Sequence, residues 1–222
     1  AHGSMKEFDY TEVRHYKFYR FAVKVFGPMF KGLYHLQYKN LENVPKDNKR
    51  YIVAINHTCA LDPVFVALAD GIPALHFMAK VELFKNPIVA WVITHLYGFP
   101  VKRGQGDTTA VDYAKRIVEE DHVLAICPEG KRVKDKDGVP QKAKPGVAMI
   151  ARDTGAAILP VAICAKEKIK RGVPVTVVFG KPMTASELGL NRPDITREEL
   201  RAAANKVMEE ITVMRERELN GD

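Results

Sequence analysis

The stretch NHTCALD, residues 56–62, places His57 and Asp62 five positions apart, directly after the apolar run YIVAI. A carboxylate that accepts a hydrogen bond from one imidazole nitrogen fixes the tautomer of the ring and leaves the other nitrogen free to take a proton. The two residues could therefore be a general base and its orienting group. Two other interpretations stay open from these residues alone. They could be metal ligands, or His57 could cap the following helix with Asp62 as its N-cap residue.

Polar side chains also follow two further apolar runs, and their types suit the binding of phosphate and hydroxyl groups. The stretch GFPVKRG contains Arg103, whose planar guanidinium matches the oxygens of a phosphate. In CPEGKR, Glu129 can accept hydrogen bonds from hydroxyl groups, Gly130 allows close approach of the backbone, and Arg132 adds positive charge. A fourth run, ILPVAI, has a proline inside an apolar strand, which requires a sheet edge or a bulge. Taken singly, each segment could also be an ordinary turn or a strand irregularity.

The elements that must position these residues are strands alternating with helices. The runs predicted as strands are YHLQYKN, YIVAI, ALHFMAK, FPV, HVLAIC, AAILPVAIC and VPVTVVFGKP. Helices are predicted from Asp62, over most of ELFKNPIVAWVITHLYG with Gly98 as the stop, over residues 108–120, over PGVAMIARDTG up to Gly155, and from the capping box Thr196-x-x-Glu199. This alternation predicts a single α/β domain with a mixed, largely parallel sheet flanked by helices. Sites in such sheets lie at the carboxyl ends of strands, where the polar segments fall.

Net charge, cysteine spacing and apolar stretches limit which partners, metal sites and membrane spans are expected. The formal net charge of +7 favours an anionic partner: nucleic acid, a phosphorylated small molecule or an anionic membrane surface. Cys59, Cys127 and Cys164 are widely spaced without a C-x-x-C, which indicates neither a disulfide framework nor a zinc site. The longest apolar stretch, NPIVAWVITHLYGFPV, is too short and interrupted for a membrane span. Residues 1–4 (AHGS) have the composition of an expression-tag remnant.

Residues 5–33 are rich in aromatic and basic side chains and are predicted to form an amphipathic helical segment. On a helix, one arc contains Tyr16, Tyr19, Val23 and Phe26, and the adjacent arc contains Arg14, Lys17, Arg20 and Lys24. We expect Gly27–Pro28 to end this helix or to begin a second one. An aromatic stripe beside cations can lie in the interface of an anionic membrane, although it could also pack on the core. The density of both side-chain types favours membrane contact.

Taken together and in order, the four segments resemble those of the glycerolipid acyltransferase family. That family has a His-x4-Asp block, a Gly…Arg block, a Pro-Glu-Gly-x-Arg block and an apolar block with a proline. The blocks read here NHTCALD, GFPVKR, CPEGKR and ILPVAI, and further similarity lies in LFKNP, KPGVAMIA and VTVVFGKP, so that the resemblance covers residues 34–182. It implies an acyltransferase domain over residues 34–222 behind the N-terminal segment.

The resemblance also implies a role for each residue. His57 would deprotonate the acceptor hydroxyl and Asp62 would orient it. The resulting alkoxide would attack the thioester of acyl-CoA or of an acyl carrier protein directly, with no cofactor and no metal. The acceptor's phosphate would bind to Arg103 and Arg132, and its glycerol part to Glu129 and Gly130. Lys131 stands where the family usually has threonine, Val133 where serine is common, and the Gly98–Arg103 spacing is about one residue short. These departures concern the identity of the acceptor.

The function that the resemblance implies is transfer of a fatty acyl group to lysophosphatidate, giving phosphatidate. Another lysolipid or glycerol 3-phosphate would be the alternative acceptor. The expected partners are the acyl donor, the lysophospholipid and anionic lipids at the inner face of the cell membrane, where the protein would be cytoplasmic and peripheral, with no nucleic acid. Three alternatives belong to other classes. They are a Cys59–His57 nucleophilic enzyme, a metallohydrolase using His57, Asp62 and Glu129, and a non-catalytic membrane-surface module.

Overall fold

A seven-stranded sheet is the framework of the molecule. The computed structural model describes residues 8–47, 50–102, 106–131 and 142–221. The strands are β1 (Gln37–Lys39), β2 (Tyr51–Ile55), β3 (Leu75–Lys80), β4 (Gly98–Val101), β5 (Val123–Ile126), β6 (Ala157–Cys164) and β7 (Thr176–Phe179). Their order is β1-β7-β6-β2-β5-β3-β4. Among the seven strands of the described residues, β6 and β7 pair antiparallel and the other neighbours pair parallel, so the sheet is mixed and largely parallel, as the sequence predicts.

Helices cover both faces of this sheet. They are α1 (Lys17–Leu33), α2 (Asp62–Ala67), α3 (Pro87–His95), α4 (Thr108–Glu119), α5 (Gly146–Thr154) and α6 (Arg197–Asn220). The predicted start of α6 is confirmed, since Thr196 and Glu199 form a capping box. The predicted end of α5 is confirmed too, since Gly155 takes the left-handed conformation at φ 70°.

Strand β2 lies at the centre and is fully buried. Ile52 and Ala54 belong to the core on the side of α4, α5 and α6. Tyr51, Val53 and Ile55 belong to the core on the opposite side, together with Phe65 and Val66 of α2. A strand that is covered on both faces needs an apolar residue at every position, which explains the unbroken run YIVAI.

The segment 82–98 is mostly helical, as predicted, and consists of a 3₁₀ helix over Val81–Lys85 followed by α3. The predicted position of the helix stop is wrong, and packing explains why. Gly98 does not stop α3. The left-handed residue after that helix is Tyr97, at φ 66°. Gly98 instead begins β4 opposite Phe77, where a Cβ atom would lie 2.8 Å from the Phe77 ring, so that the close approach of the strands requires glycine.

The proline in ILPVAI lies in an interior strand, at the end of its regular pairing with β7. Pro160 belongs to β6, which has β2 on one side and β7 on the other. The last residue pair of β6 with β7 is Val161 with Phe179, so Pro160 lies just beyond it. There the Pro160 carbonyl accepts from the Gly180 N–H at 2.8 Å, and Pro160, which has no N–H, cannot return the second bond of a regular pair.

Helix α1 packs one face on the domain and continues past its proline. Tyr19 and Gly27 are buried, and a Cβ atom on Gly27 would lie 3.0 Å from Leu68. The close contact at Gly27 holds this turn against the domain, and the helix runs through Pro28 to Leu33. The prediction that the helix ends at Gly27–Pro28 is therefore wrong.

A row of rings joins α1 to the sheet. The Tyr19 ring stacks on Tyr97, with 4.9 Å between centroids, and Tyr97 stacks on His76 of β3 at 4.6 Å. His122 lies 5.3 Å beyond His76. Burial lowers the pKa of His76 to about 3, and the nearby His122 and His15 add to this effect. His76 is therefore neutral near pH 7, and its protonation opposes folding.

Candidate active site

The sheet brings the His57 and Glu129 segments together at the carboxyl ends of its parallel strands. His57 follows β2, which ends at Ile55, and Glu129 follows β5, which ends at Ile126. These strands are parallel neighbours, so their carboxyl ends lie side by side. Polar residues that are far apart in sequence meet here for this reason.

His57 and Asp62 are in direct contact. The His57 Nδ1 atom lies 2.8 Å from Asp62 Oδ2, and the two side chains are 10% and 0% exposed. A carboxylate can only accept, so Nδ1–H donates to Asp62, and Nε2 is the nitrogen that carries the lone pair. The arrangement is that of a general base and its orienting group.

Asp62 is itself fixed by the loop that carries His57. Its Oδ2 atom also accepts from the backbone N–H groups of Thr58, at 2.8 Å, and Cys59, at 2.9 Å. The Thr58 hydroxyl donates to Oδ1. Asp62 is the first residue of α2, whose N-cap is Leu61, and within the described residues that N-cap position has no side-chain hydrogen bond. The interpretation of His57 and Asp62 as helix caps is therefore wrong.

Glu129 is turned inward toward the His57 backbone. It is 3% exposed, and its Oε2 atom accepts from the His57 N–H at 2.7 Å. At least one oxygen of this carboxylate thus holds the base in place. Its predicted contact with the acceptor's hydroxyl groups stays a prediction.

Gly130 takes a backbone conformation that favours glycine and lies under a lysine. Its φ angle is 71°, and a Cβ atom there would lie 2.9 Å from the side chain of Lys144. The Lys144 backbone is fixed, because its N–H donates to the Pro128 carbonyl at 2.8 Å and the N–H of Ala143 donates to the Asn205 side chain at 2.8 Å. This lysine places a positive charge over the Pro-Glu-Gly turn.

Arg103 and Arg132 lie outside the described residues. The predicted phosphate contacts of these two residues therefore stay predictions. Lys144 is a cation at this edge that sequence reasoning did not single out. The signal was a lysine in the KPG stretch immediately before a helix, and basic residues in loops are too common for this signal to stand alone.

Cys59 is a poor nucleophile in this setting. Burial, with the Asp62 charge beside it, raises the pKa of the Cys59 thiol to about 12. Its sulfur lies 3.4 Å from Asp62 Oδ1. A thiol with such a pKa carries almost no thiolate near pH 7, which argues against the Cys59–His57 mechanism.

The metallohydrolase interpretation has no support from geometry. Within residues 8–47, 50–102, 106–131 and 142–221, no three histidine, cysteine, aspartate or glutamate side chains are placed to bind one metal ion. His57, Asp62 and Glu129 contact one another through hydrogen bonds to Nδ1 and to the backbone instead.

Comparison with known proteins then identifies the family. Residues 35–164 match the family model described as Acyltransferase. The chain belongs to the acyltransferase family. It is 28% identical over 178 residues to a 1-acyl-sn-glycerol-3-phosphate acyltransferase of Streptococcus pneumoniae, covering 78% of this chain and 64% of that protein. A Bacillus subtilis protein of the same name is 27% identical over 76% of this chain and 82% of its own length.

A solved structure of this acyltransferase family has the same fold. It is the 1-acyl-sn-glycerophosphate (LPA) acyltransferase, PlsC, of Thermotoga maritima, with a TM-score of 0.62 and 26% identity. The match covers 86% of this chain and 78% of that one. The predicted fold class is confirmed by this likeness as well as by the sheet itself.

A second candidate feature is a large apolar surface on α1 and on the segment 81–95. Its members, here the α1/α3 apolar surface, are Phe21, Val25, Phe26, Met29, Leu83, Ile88, Val89, Trp91 and Val92. Among the described residues, these are all the exposed large hydrophobic side chains except Val213. The two helices meet where the Phe18 ring lies 5.0 Å from the Trp91 ring. No helix in the described part of the chain is long and apolar enough to cross a bilayer.

The predicted aromatic stripe of the N-terminal segment is divided between two roles. Tyr19 is buried and Tyr16 and Val23 are half-buried, so three of its four members are at least partly covered. Phe26 belongs to the α1/α3 apolar surface. The contribution of α3 was missed, although its sequence PIVAWVITH is apolar on all sides, which is a signal of extensive burial.

Proposed function

We propose that this protein transfers a fatty acyl group from a thioester to the free hydroxyl of lysophosphatidate, giving phosphatidate. The observation that carries this proposal is the contact of 2.8 Å between His57 Nδ1 and the buried Asp62 carboxylate, at the carboxyl edge of a mostly parallel sheet. The names of the two bacterial relatives support the choice of acceptor.

The chemistry requires one proton acceptor and no covalent enzyme intermediate. His57 Nε2 takes the proton of the acceptor hydroxyl as its oxygen attacks the thioester carbonyl. Collapse of the tetrahedral intermediate forms the ester and breaks the carbon–sulfur bond, and the leaving thiolate takes up the proton from Nε2. Asp62 holds the ring in place and stabilises the positive charge that forms on it.

The acceptor's phosphate binds to cations around the site. By resemblance these are Arg103 and Arg132, and we add Lys144, which lies over Gly130. By resemblance, Glu129 and Gly130 contact the glycerol part, and Glu129 also holds the His57 backbone. The donor is acyl-CoA or an acyl carrier protein, and both use the same thioester chemistry.

The protein works at a membrane surface, because its acceptor is a lipid. The α1/α3 apolar surface enters the lipid interface, while Lys17, Arg20 and Lys24, exposed on α1, favour anionic lipids. In a living cell we place the protein at the inner face of the membrane. A non-catalytic module that binds the same surface is the competing function, and the apolar surface favours it equally.

One assay separates these functions. Thiol release from an acyl-CoA and from an acyl carrier protein is measured with lysophosphatidate, glycerol 3-phosphate or monoacylglycerol. We expect release to depend on an acceptor and to be fastest with lysophosphatidate, and monoacylglycerol, which lacks the phosphate, to be at least tenfold slower. Liposome binding without thiol release from either donor would instead identify a membrane module. Faster release with glycerol 3-phosphate would overturn the assignment of the acceptor.

A further inference from the structure

Strand β6 extends beyond the part of β2 that pairs with it. The pairing of β2 with β6 ends at Ile55 and Val161, whereas β6 runs on to Cys164. A regular parallel neighbour would continue to supply backbone groups to the next residues of β6. The chain turns away after Ile55, so these groups must come from elsewhere.

The Asn56 side chain supplies them. Its Oδ1 atom accepts from the Ile163 N–H at 2.7 Å, and its Nδ2 atom donates to the Ile163 carbonyl at 3.1 Å. Asn56 is 1% exposed. The amide thus satisfies both backbone groups of Ile163, which in a continued parallel pair would bond to two residues of β2 two positions apart.

Because the Asn56 side chain makes the contact with β6, the backbone that follows Asn56 is not needed for that contact. The His57 N–H points to the other neighbour and donates to Glu129, beyond β5. The chain at residues 56–57 is therefore anchored to β6 on one side and to the β5 turn on the other. The position of the His57 ring follows from these two anchors and from Asp62.

We propose that Asn56 is a positioning residue for acyl transfer, because its bidentate amide contact with the Ile163 backbone fixes where the chain leaves the sheet and hence where His57 lies. The inference depends on the function proposed above. Asn56 does not touch the substrate, since both of its polar atoms are bonded to Ile163 and the residue is buried.

Asparagine is the residue that fits this place. Aspartate of the same size lacks the donor for the Ile163 carbonyl, and leucine of similar volume lacks both groups. Asn56→Leu therefore removes the anchor while filling the space. The matched control is Asn43→Leu, because the Asn43 side chain also donates to a backbone carbonyl, that of Phe179, at 2.9 Å.

The test compares both variants with the wild type in steady-state thiol release, after thermal unfolding has shown that each is folded. For Asn56→Leu we expect kcat to fall about 100-fold, since a misplacement of about 1 Å costs this much, with both KM values within about twofold. For Asn43→Leu we expect a lower melting temperature with kcat within about twofold of the wild type. A merely structural role of Asn56 would lower the melting temperature in the same way and leave kcat unchanged.

The outcomes that overturn the inference are distinct from failure of the proposed function. If the wild type releases no thiol, the proposed function fails before any variant is compared. If wild-type release depends on His57 but folded Asn56→Leu keeps kcat within about threefold, only the role of Asn56 is refuted. Should Asn56→Leu not fold, Asn56→Ser takes its place, because its shorter hydroxyl cannot bridge both groups of Ile163. The same fall in kcat is expected, and an unchanged kcat refutes the inference.

Discussion

The substitution Asp62→Asn removes one charge from the site and keeps nearly every atom in place. Oδ2 accepts from the backbone N–H groups of Thr58 and Cys59 as well as from His57 Nδ1. An amide will therefore place its oxygen at this position and turn its NH2 group to the Thr58 hydroxyl, which can accept. His57 keeps its hydrogen bond and its tautomer, so only the negative charge is lost.

The size of the effect follows from the distance between the charges. When Nε2 takes the substrate's proton, the ring becomes positive at about 4 Å from the carboxylate centre, and at an effective dielectric constant of about 20 this attraction is worth about 4 kcal/mol. The charge is only partly formed in the transition state, so about 2–4 kcal/mol of stabilisation is lost there. This corresponds to a fall in kcat of about 30- to 1000-fold.

The assay is steady-state thiol release by the wild type, Asp62→Asn and Asp62→Ala. We expect Asp62→Asn to keep both KM values and to lose about 1–2 kcal/mol of unfolding free energy. Asp62→Ala should lose more, because the N–H groups of Thr58 and Cys59 are left without an acceptor. A kcat of Asp62→Asn within about fivefold of the wild type would refute the reasoning, since the charge would then stabilise no imidazolium.

Further predictions concern the membrane surface and the buried imidazole. Trp91→Ser removes roughly 100 Å² of exposed apolar area, which is worth about 2.5 kcal/mol in a bilayer interface. Binding to anionic liposomes should therefore weaken at least tenfold. The matched control Val213→Ser should bind like the wild type. An equal loss of liposome binding by both variants in a flotation assay would show that α3 has no special role in membrane binding. The lowered pKa of His76 means that the unfolded chain takes up a proton below pH 6.5 while the folded protein does not. The free energy of unfolding should therefore fall by about 2 kcal/mol between pH 7 and pH 5 through this residue alone, and urea titrations should show a shallower fall for His76→Phe. The same pH dependence in both proteins would contradict the assignment.

The contact between His57 and Asp62 was predictable because the two residues are close in sequence and follow a recognisable strand. The run YIVAI indicates a buried strand, and only four residues separate His57 from Asp62, so that one loop decides their contact. The contact is present in the structure, and its catalytic role stays a proposal. The inward turn of Glu129 was not predictable. It depends on β5 lying beside β2, a contact between residues 72 positions apart.

Where the sequence allowed two interpretations of a residue, packing determined which one is correct. Glycine is the residue type typical of a helix end, yet the close approach of Phe77 and Ile93 explains why Gly98 lies at the start of β4 instead. Tyr19 has the spacing of a membrane-facing stripe, yet its stacking on Tyr97 places it in the core. Local pattern gives the period of a helix, whereas only the tertiary arrangement decides which face meets the domain.

The most direct measurement of the central claim is thiol release by His57→Gln in the presence of lysophosphatidate. Glutamine keeps a polar side chain that can donate to Asp62 but offers no group that takes up a proton near pH 7. We expect kcat to fall by at least about 1000-fold in a variant that unfolds at nearly the wild-type temperature. A folded His57→Gln protein that keeps a tenth or more of wild-type turnover would contradict the account, because no proton acceptor at residue 57 would then be required.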